Sequence, residues 1–242
     1  MTGARRRGVA FLLAACVLAG LSLAAIRREP TALRQRPAAE RPTLLLLTSL
    51  PLLFGEDFSL QGGGSPVLKA LQGRYRVLPI SVTDNRELAK GRLLMMAQPP
   101  AQTAENLVAL DGWVRHGGRV LLLADPMLEW PSKRPLGDLL RPPPMFQDTG
   151  LLAHWGLRLD TPEQRGRAER RLGGRTVLTV SPGTLWGGCE IGADRLAAHC
   201  KLAKGEAVVV ADADLVDIDR LAGSANPNLD TVLEELATLE RK

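Results

Sequence analysis

Residues 107–132, LVALDGWVRHGGRVLLLADPMLEWPS, are the most informative segment of this chain about its fold. Apolar residues first recur at helical spacing as far as Val114. Gly117 and Gly118 then end the helix, because glycine readily adopts the left-handed geometry that follows a helix C-terminus. Residues 120–124 form an unbroken apolar run, which predicts a strand covered on both faces. The stretch is therefore one helix–strand unit of an α/β sheet.

Acidic residues follow this strand and a second one. Asp125 comes directly after residues 120–124, and Asp212 and Asp214 follow the apolar run 207–211 in the same way. Open α/β sheets bind ligands in crevices at the carboxyl ends of their strands. We therefore predict a ligand or partner crevice lined by Asp125, Glu129, Trp130, Asp212 and Asp214.

The same pattern extends over residues 43–242 and predicts one α/β domain, a mostly parallel three-layer sheet with an added antiparallel hairpin. Predicted strands cover residues 44–47, 75–80, 93–97, 120–124, 175–180, 189–191, 196–199 and 207–211. Predicted helices cover residues 66–71, 101–116 and 229–239, the last of them amphipathic. Residues 126–150 are rich in proline and predict an irregular excursion that covers or borders a site.

The N-terminus is typical of membrane targeting. A basic tail, residues 1–7, precedes residues 8–26, which carry no charge and are long enough to cross a bilayer as a transmembrane helix. An uncleaved anchor is the favoured interpretation. Two alternatives stay open: a lipoprotein signal with Cys16 as the lipidated residue, and cleavage by a signal peptidase after residues 23–25. Residues 27–42 form a polar, proline-punctuated linker.

The distribution of charge argues against a nucleic-acid partner. Of 31 basic and 26 acidic residues, eight arginines and two glutamates lie within residues 1–42, so the domain itself is nearly neutral. A nucleic-acid interface needs a basic face with interleaved aromatic residues, and the chain has only four Phe, four Trp and one Tyr. We expect a single-pass protein of the bacterial inner membrane with a periplasmic domain. Arginines on both sides of residues 8–26 leave the orientation open.

The cysteines beyond the N-terminus offer two interpretations. Cys189 and Cys200 flank a turn signal between two short predicted strands, so they are placed to form a disulfide in an oxidising compartment. Alternatively, they are two small buried residues. The ligand spacing of a zinc site is absent, and no metal or cofactor is expected.

Motifs for catalysis lack their companions. The LLLADP segment resembles the acidic strand end of ATPases, but no phosphate-binding loop accompanies it. Asp212 and Asp214 match the D-x-D of dehalogenase-type phosphatases, yet too little chain follows for that family's downstream residues. There is no nucleophile elbow. We therefore assign no catalytic residue.

Several segments resemble one family. The helix followed by GGRVLLLADP and the later GEAVVVADADLVD are similar to GldG-like auxiliary domains of ABC-type transport systems. SLPLLFGE, MMAQP, EWPSKRPLGD and HWGL resemble an uncharacterised proteobacterial branch of such membrane-anchored proteins. The resemblance implies a flavodoxin-like fold, similar to class I glutamine amidotransferases without the catalytic cysteine. It also implies an ABC permease and ATPase as partners.

Two hypotheses follow. The first is a membrane-tethered, non-enzymatic α/β domain that binds a ligand or partner at the strand ends, as an auxiliary part of a transport or cell-envelope system. The second is a cell-envelope hydrolase or transferase that uses the strand-end carboxylates as general acid and base.

Overall fold

The computed structural model describes residues 34–54, 64–221 and 227–241. Its strands are β1 (Thr43–Thr48), β2 (Arg76–Pro79), β3 (Leu93–Ala97), β4 (Arg119–Leu123), β5 (Leu157–Asp160), β6 (Arg167–Leu172), β7 (Arg175–Val180), β8 (Thr184–Gly187), β9 (Glu190–Ile191), β10 (Ala197–Leu202) and β11 (Gly205–Val210). Its α-helices are α1 (Pro66–Gln72), α2 (Asn85–Leu88), α3 (Ala104–Arg115), α4 (Leu151–His154), α5 (Ile218–Leu221) and α6 (Pro227–Arg241).

A seven-stranded sheet in the order β2-β1-β3-β4-β11-β10-β9 forms the centre of the fold. The first five strands in this order are parallel. Strands β1, β3, β4 and β11 consist almost wholly of buried apolar residues, which is why their sequences do not alternate. The predicted α/β fold with a mostly parallel sheet is confirmed.

Residues 107–132 form the end of the predicted helix and the predicted strand that follows it. The Thr103 hydroxyl accepts a hydrogen bond from the Asn106 N–H and caps α3. Gly117 has a φ of +110°, the left-handed conformation that ends the helix. At Gly118 a Cβ atom would collide with the Trp113 ring, so the chain can turn closely into β4 only because this residue has no side chain.

Antiparallel strands complete the structure. β10 pairs with β11 and β9 with β10, which is the added hairpin that the sequence predicts. Two further two-stranded sheets, β5–β8 and β6–β7, stand apart from the central one. The sequence does not predict β6, because its residues, RAERRL, are mostly charged and contain no apolar run. In the structure this strand is half exposed. Residues 126–150 contain no helix or strand, in keeping with the predicted irregular excursion.

The last part of the predicted linker packs on the domain, which as a compact unit begins at Gln35. The Arg36 N–H donates to the Gly73 carbonyl at 2.9 Å, and its guanidinium contacts the Glu240 carboxylate on α6 at the same distance. The predicted transmembrane segment, residues 8–26, and Cys16 lie outside the described residues. Within those residues no helix has the length and apolarity needed to cross a membrane.

Candidate functional site

The predicted aspartates lie at the carboxyl ends of two neighbouring strands. Leu123 of β4 and Val210 of β11 are paired in the sheet, so Asp125 and Asp212 occupy equivalent positions beyond them. Asp214 lies two residues further along. All three side chains are fully buried. The structure therefore brings these three residues together, as the sequence predicts, but places their carboxylates in the protein interior.

Asp125 joins the two strand exits. Its Oδ2 accepts hydrogen bonds from the N–H groups of Ala213 at 2.9 Å and Asp214 at 3.3 Å. Its Oδ1 accepts from the N–H of Met127 at 2.8 Å. These N–H groups lie in irregular turns and have no hydrogen-bond partner in a strand or helix, so the carboxylate oxygens of Asp125 satisfy them. The carboxylate works as a link between the two turns.

Asp212 joins the strand exit to the β6–β7 sheet. Its Oδ2 accepts from the Val180 N–H at 2.8 Å, and its Oδ1 accepts from the Leu215 N–H at 2.6 Å. Leu215 belongs to a 3₁₀ turn, Asp214–Val216. One side chain therefore fixes the end of β7 and the turn after β11 relative to each other.

Asp214 anchors the excursion that begins after β4. Its Oδ2 accepts from the Glu129 N–H at 2.7 Å, and its Oδ1 lies 3.4 Å from an Arg220 guanidinium nitrogen. Arg220 also donates to the Glu129 carbonyl at 2.5 Å. The backbone of Glu129 is therefore held from both sides.

The other two predicted site residues lie nearer the surface. The Glu129 side chain is exposed, and its Oε1 accepts a hydrogen bond from the Ser181 hydroxyl at 2.5 Å. Trp130 is half-buried. The five residues are thus neighbours, but only these two face outward. Binding of a ligand by them stays a prediction.

Burial dominates the electrostatics of the aspartates. It raises the pKa of Asp125 to about 6 and that of Asp214 to about 7, and it raises the pKa of Asp212 well above its ordinary value. The neighbouring carboxylates add to each shift, because like charges in a low-dielectric site disfavour ionisation. The backbone N–H groups act in the opposite direction but do not outweigh burial.

Sequence reasoning missed Gln98 as a member of this cluster. Its amide nitrogen donates to the carbonyls of Asp125 at 3.2 Å and Pro143 at 3.1 Å, and its amide oxygen accepts from the Asp125 N–H at 3.0 Å. Gln98 is fully buried and has a φ of +42°. The signal was present, since a polar residue follows the apolar strand β3 directly in the MMAQP segment.

The strand order reverses between β1 and β3, where α/β sheets commonly bind ligands. There the Thr48 hydroxyl donates to the Ala97 carbonyl at 2.7 Å, and the Ser49 hydroxyl donates to the Gln98 carbonyl. The Thr48 hydroxyl also accepts from the Leu50 N–H at 3.0 Å. These polar side chains are thus engaged with the backbone of the neighbouring strand end.

Cys189 and Cys200 form a disulfide. The pairing of His199 with Glu190 in the β9–β10 ladder places the two cysteines directly opposite each other. This arrangement selects the first of the two interpretations that the sequence left open. The disulfide links the residue before β9, the edge strand of the central sheet, to the neighbouring strand β10.

Cavities in the described part of the chain lie away from the aspartates. One of about 580 Å³ lies at the amino ends of the parallel strands, one of about 700 Å³ borders the disulfide, and one of about 400 Å³ lies between α2 and α3. Among the residues that the structure describes, no cluster of His, Cys, Asp or Glu is arranged to hold a metal ion.

No family model matches the sequence, and no curated protein matches it either. Solved structures are similar in fold. The exo-β-1,4-mannosidase Op5Man5 from Opitutaceae bacterium strain TAV5 matches 82% of this chain with a TM-score of 0.51 and 10% identity; the chain spans 36% of that enzyme. The mmIFT52 N-terminal domain matches 81% of this chain and 97% of its own length, with a TM-score of 0.48 and 15% identity. The cytoplasmic protein STM1381 from Salmonella typhimurium LT2 matches 81% of this chain and 99% of its own length, with a TM-score of 0.48 and 12% identity. At these identities the likeness is one of fold alone.

Proposed function

We propose that this chain is a membrane-tethered, non-enzymatic α/β domain that binds a protein partner as an auxiliary component of an ABC-type transport or other cell-envelope system. The observation that carries the proposal is the excursion of residues 126–150. It exposes large apolar side chains although its backbone is fixed: Leu136 is 80% exposed, Leu139 99%, Leu140 56% and Met145 56%. Exposed large apolar side chains that are concentrated in one segment favour an interaction site.

The base of this excursion is held by the cluster described above. The Phe146 N–H donates to the Asp125 carbonyl at 2.5 Å, and the Leu128 N–H donates to the Pro144 carbonyl at 2.9 Å. Gln98 and Asp214 add their bonds to Pro143 and Glu129. The excursion is thus fastened at both ends to the carboxyl edge of the sheet.

The tip of the excursion is also organised. The Asp138 carboxylate accepts from the Leu140 N–H at 2.8 Å, and the Arg141 N–H donates to the Asp138 carbonyl at 3.0 Å. The Asp138 N–H donates to the Pro135 carbonyl at 3.2 Å. A tip that is ordered before binding loses less conformational entropy when a partner covers its leucines. This supports a protein-binding surface.

The same geometry argues against the hydrolase or transferase alternative. A general acid or base must reach the proton that it transfers. The carboxylates of Asp125, Asp212 and Asp214 instead accept backbone N–H groups of their own turns and are buried. Their role in this proposal is to hold the surface that binds.

For the fold we propose the finer description that the sequence resemblance implies, a three-layer arrangement similar to flavodoxins and class I amidotransferases. The support is the strand order, because the parallel strands run 2-1-3-4 followed by the next parallel strand of the chain. This is the order of flavodoxin-like sheets.

The test is site-specific photo-crosslinking with the full chain in its native membranes. A photoreactive residue at Leu139 is expected to crosslink a subunit of an ABC-type or envelope system, identified by mass spectrometry. The same residue at Val108, which is 73% exposed on α3, is the control. Equal crosslinking at both positions would remove the support for the binding surface. Turnover of an envelope ester, amide or phosphate that Asp212→Asn abolishes would instead establish the enzymatic alternative.

A further inference from the structure

The cavity of about 580 Å³ at the amino ends of the parallel strands is lined mainly by basic charges, whereas the domain as a whole is nearly neutral. Its walls come from the starts of β1, β3 and β4 and from the turn before β11. Four cationic side chains line it, Lys90, Arg92, Arg119 and Lys204. Positive charge is thus concentrated in this cavity.

Few negative charges offset these cations. Glu240, the one acidic residue among those lining the cavity in the described structure, contacts the Arg36 guanidinium at 2.9 Å. Lys90 contacts Glu87 at 2.5 Å, and Arg119 donates to the Lys204 carbonyl at 2.9 Å.

Two of the cations are left available to a ligand. Within residues 34–54, 64–221 and 227–241, the side chains of Arg92 and Lys204 make no hydrogen bond and no ion pair. Like charges that share a cavity repel each other, and a bound anion would relieve that repulsion. The cavity therefore has the charge and the donors for a phosphate group.

The cavity lies close along the sequence to the predicted membrane segment. Pro42 and Thr43, at which the chain enters β1, line the cavity directly. Only residues 27–41 separate them along the sequence from the predicted transmembrane segment, residues 8–26. The surface of a bacterial inner membrane carries phosphate diesters of anionic lipids, and it attracts basic residues near it.

We propose that this cavity binds the phosphate of an anionic phospholipid headgroup, with Arg92 and Lys204 as its principal donors. The inference rests on the membrane tether of the proposed function. It adds a second contact with the bilayer, one that would fix the amino end of the sheet close to the headgroups.

The test is native mass spectrometry, which measures binding of phosphatidylglycerol or phosphatidylcholine to the full chain. The chain is mixed with the lipid in detergent, and the detergent is removed in the mass spectrometer. The double variant Arg92→Gln, Lys204→Gln is expected to bind phosphatidylglycerol about thirtyfold more weakly than the wild type, since each basic residue near an anionic headgroup contributes about 1 kcal/mol. The matched control, Lys69→Gln with Arg86→Gln, removes two exposed cations outside the cavity and should bind as the wild type does. The single variant Lys204→Gln should show a severalfold loss, and tryptophan fluorescence checks that each variant is folded.

Two results would overturn the inference. If both double variants lose affinity equally, the effect is one of net charge and not of the cavity. If millimolar inorganic phosphate displaces phosphatidylglycerol from the wild type, the cavity is a site for soluble anions. The tether is tested separately, by co-elution of the full chain with nanodiscs made of phosphatidylcholine alone. Failure of that co-elution would count against the proposed function, whatever the cavity binds.

Discussion

Replacement of Asp214 by asparagine should change how the stability of the protein depends on pH. Burial raises the pKa of Asp214 to about 7 in the folded protein, whereas an unfolded aspartate titrates near 3.8. Between these values the folded state binds more protons than the unfolded state. The stability that this group contributes is therefore fully present below about pH 4 and is lost as the pH rises to about 7.

The size of the effect follows from the shift. A difference of about three pKa units corresponds to about 4 kcal/mol over the whole titration, and more than half of this falls between pH 5 and pH 8. An asparagine in place of Asp214 would still accept the Glu129 N–H through its amide oxygen but cannot ionise. The free energy of unfolding of the wild type should thus fall by about 2 to 3 kcal/mol more than that of Asp214→Asn over this range.

The measurement is urea unfolding of the full chain in mild detergent at pH 5 and pH 8, followed by tryptophan fluorescence. Asp219→Asn is the control, because it makes the same chemical change at an exposed position five residues away. It should leave the pH dependence of the wild type unchanged. If Asp214→Asn retains that dependence too, or if the wild type becomes more stable as the pH rises, burial does not govern the charge of this carboxylate.

Three further predictions concern the fold and the excursion. Gly205→Ala should lower the free energy of unfolding, measured by thermal unfolding, by about 3 kcal/mol, because the added Cβ would collide with the Val114 carbonyl oxygen at the end of α3. Gly192→Ala is the control and should be nearly neutral, because the atom nearest to its added Cβ is 3.6 Å away. Replacing Cys189 and Cys200 by serine should cost about 3 kcal/mol by the chain-entropy argument, and dithiothreitol should then have no further effect on the melting temperature. Gln98→Ala should speed tryptic cleavage within residues 126–150, since it releases one end of the excursion, and an unchanged cleavage rate would show that the other contacts suffice.

The parallel core was predictable because its strands are buried on both faces. Residues 120–124 and 207–211 have no polar side chain, so their type and their place in the centre of a sheet follow from composition alone. The short strands β5 and β8 were not predicted. Each has only four residues, and they are held by their pairing with each other and not by a local pattern.

The positions of the site residues were predictable, but their partners were not. Asp125 and Asp212 had to lie at one edge of the sheet once their strands were recognised as parallel. The sequence could not show that the Val180 N–H, 32 residues away from Asp212, would reach its carboxylate. That contact depends on how the β6–β7 sheet packs, and no local rule determines such packing. In the structure these aspartates are buried and accept hydrogen bonds from the turns that follow the strands, and the ligand or partner crevice stays a prediction.

The two proposed surfaces lie at opposite ends of the same parallel strands. The basic cavity precedes β4 and the apolar excursion follows it, so five residues at about 3.3 Å each place about 16 Å of buried sheet between them. A domain fixed to the bilayer by one end presents its other end away from the headgroups. Under the two proposals, the leucines of residues 126–150 lie at the end of the strands opposite the lipid contact. The proposed lipid contact and the proposed protein contact are then separated by the buried strands of the central sheet, which would set the distance between the membrane surface and a bound partner.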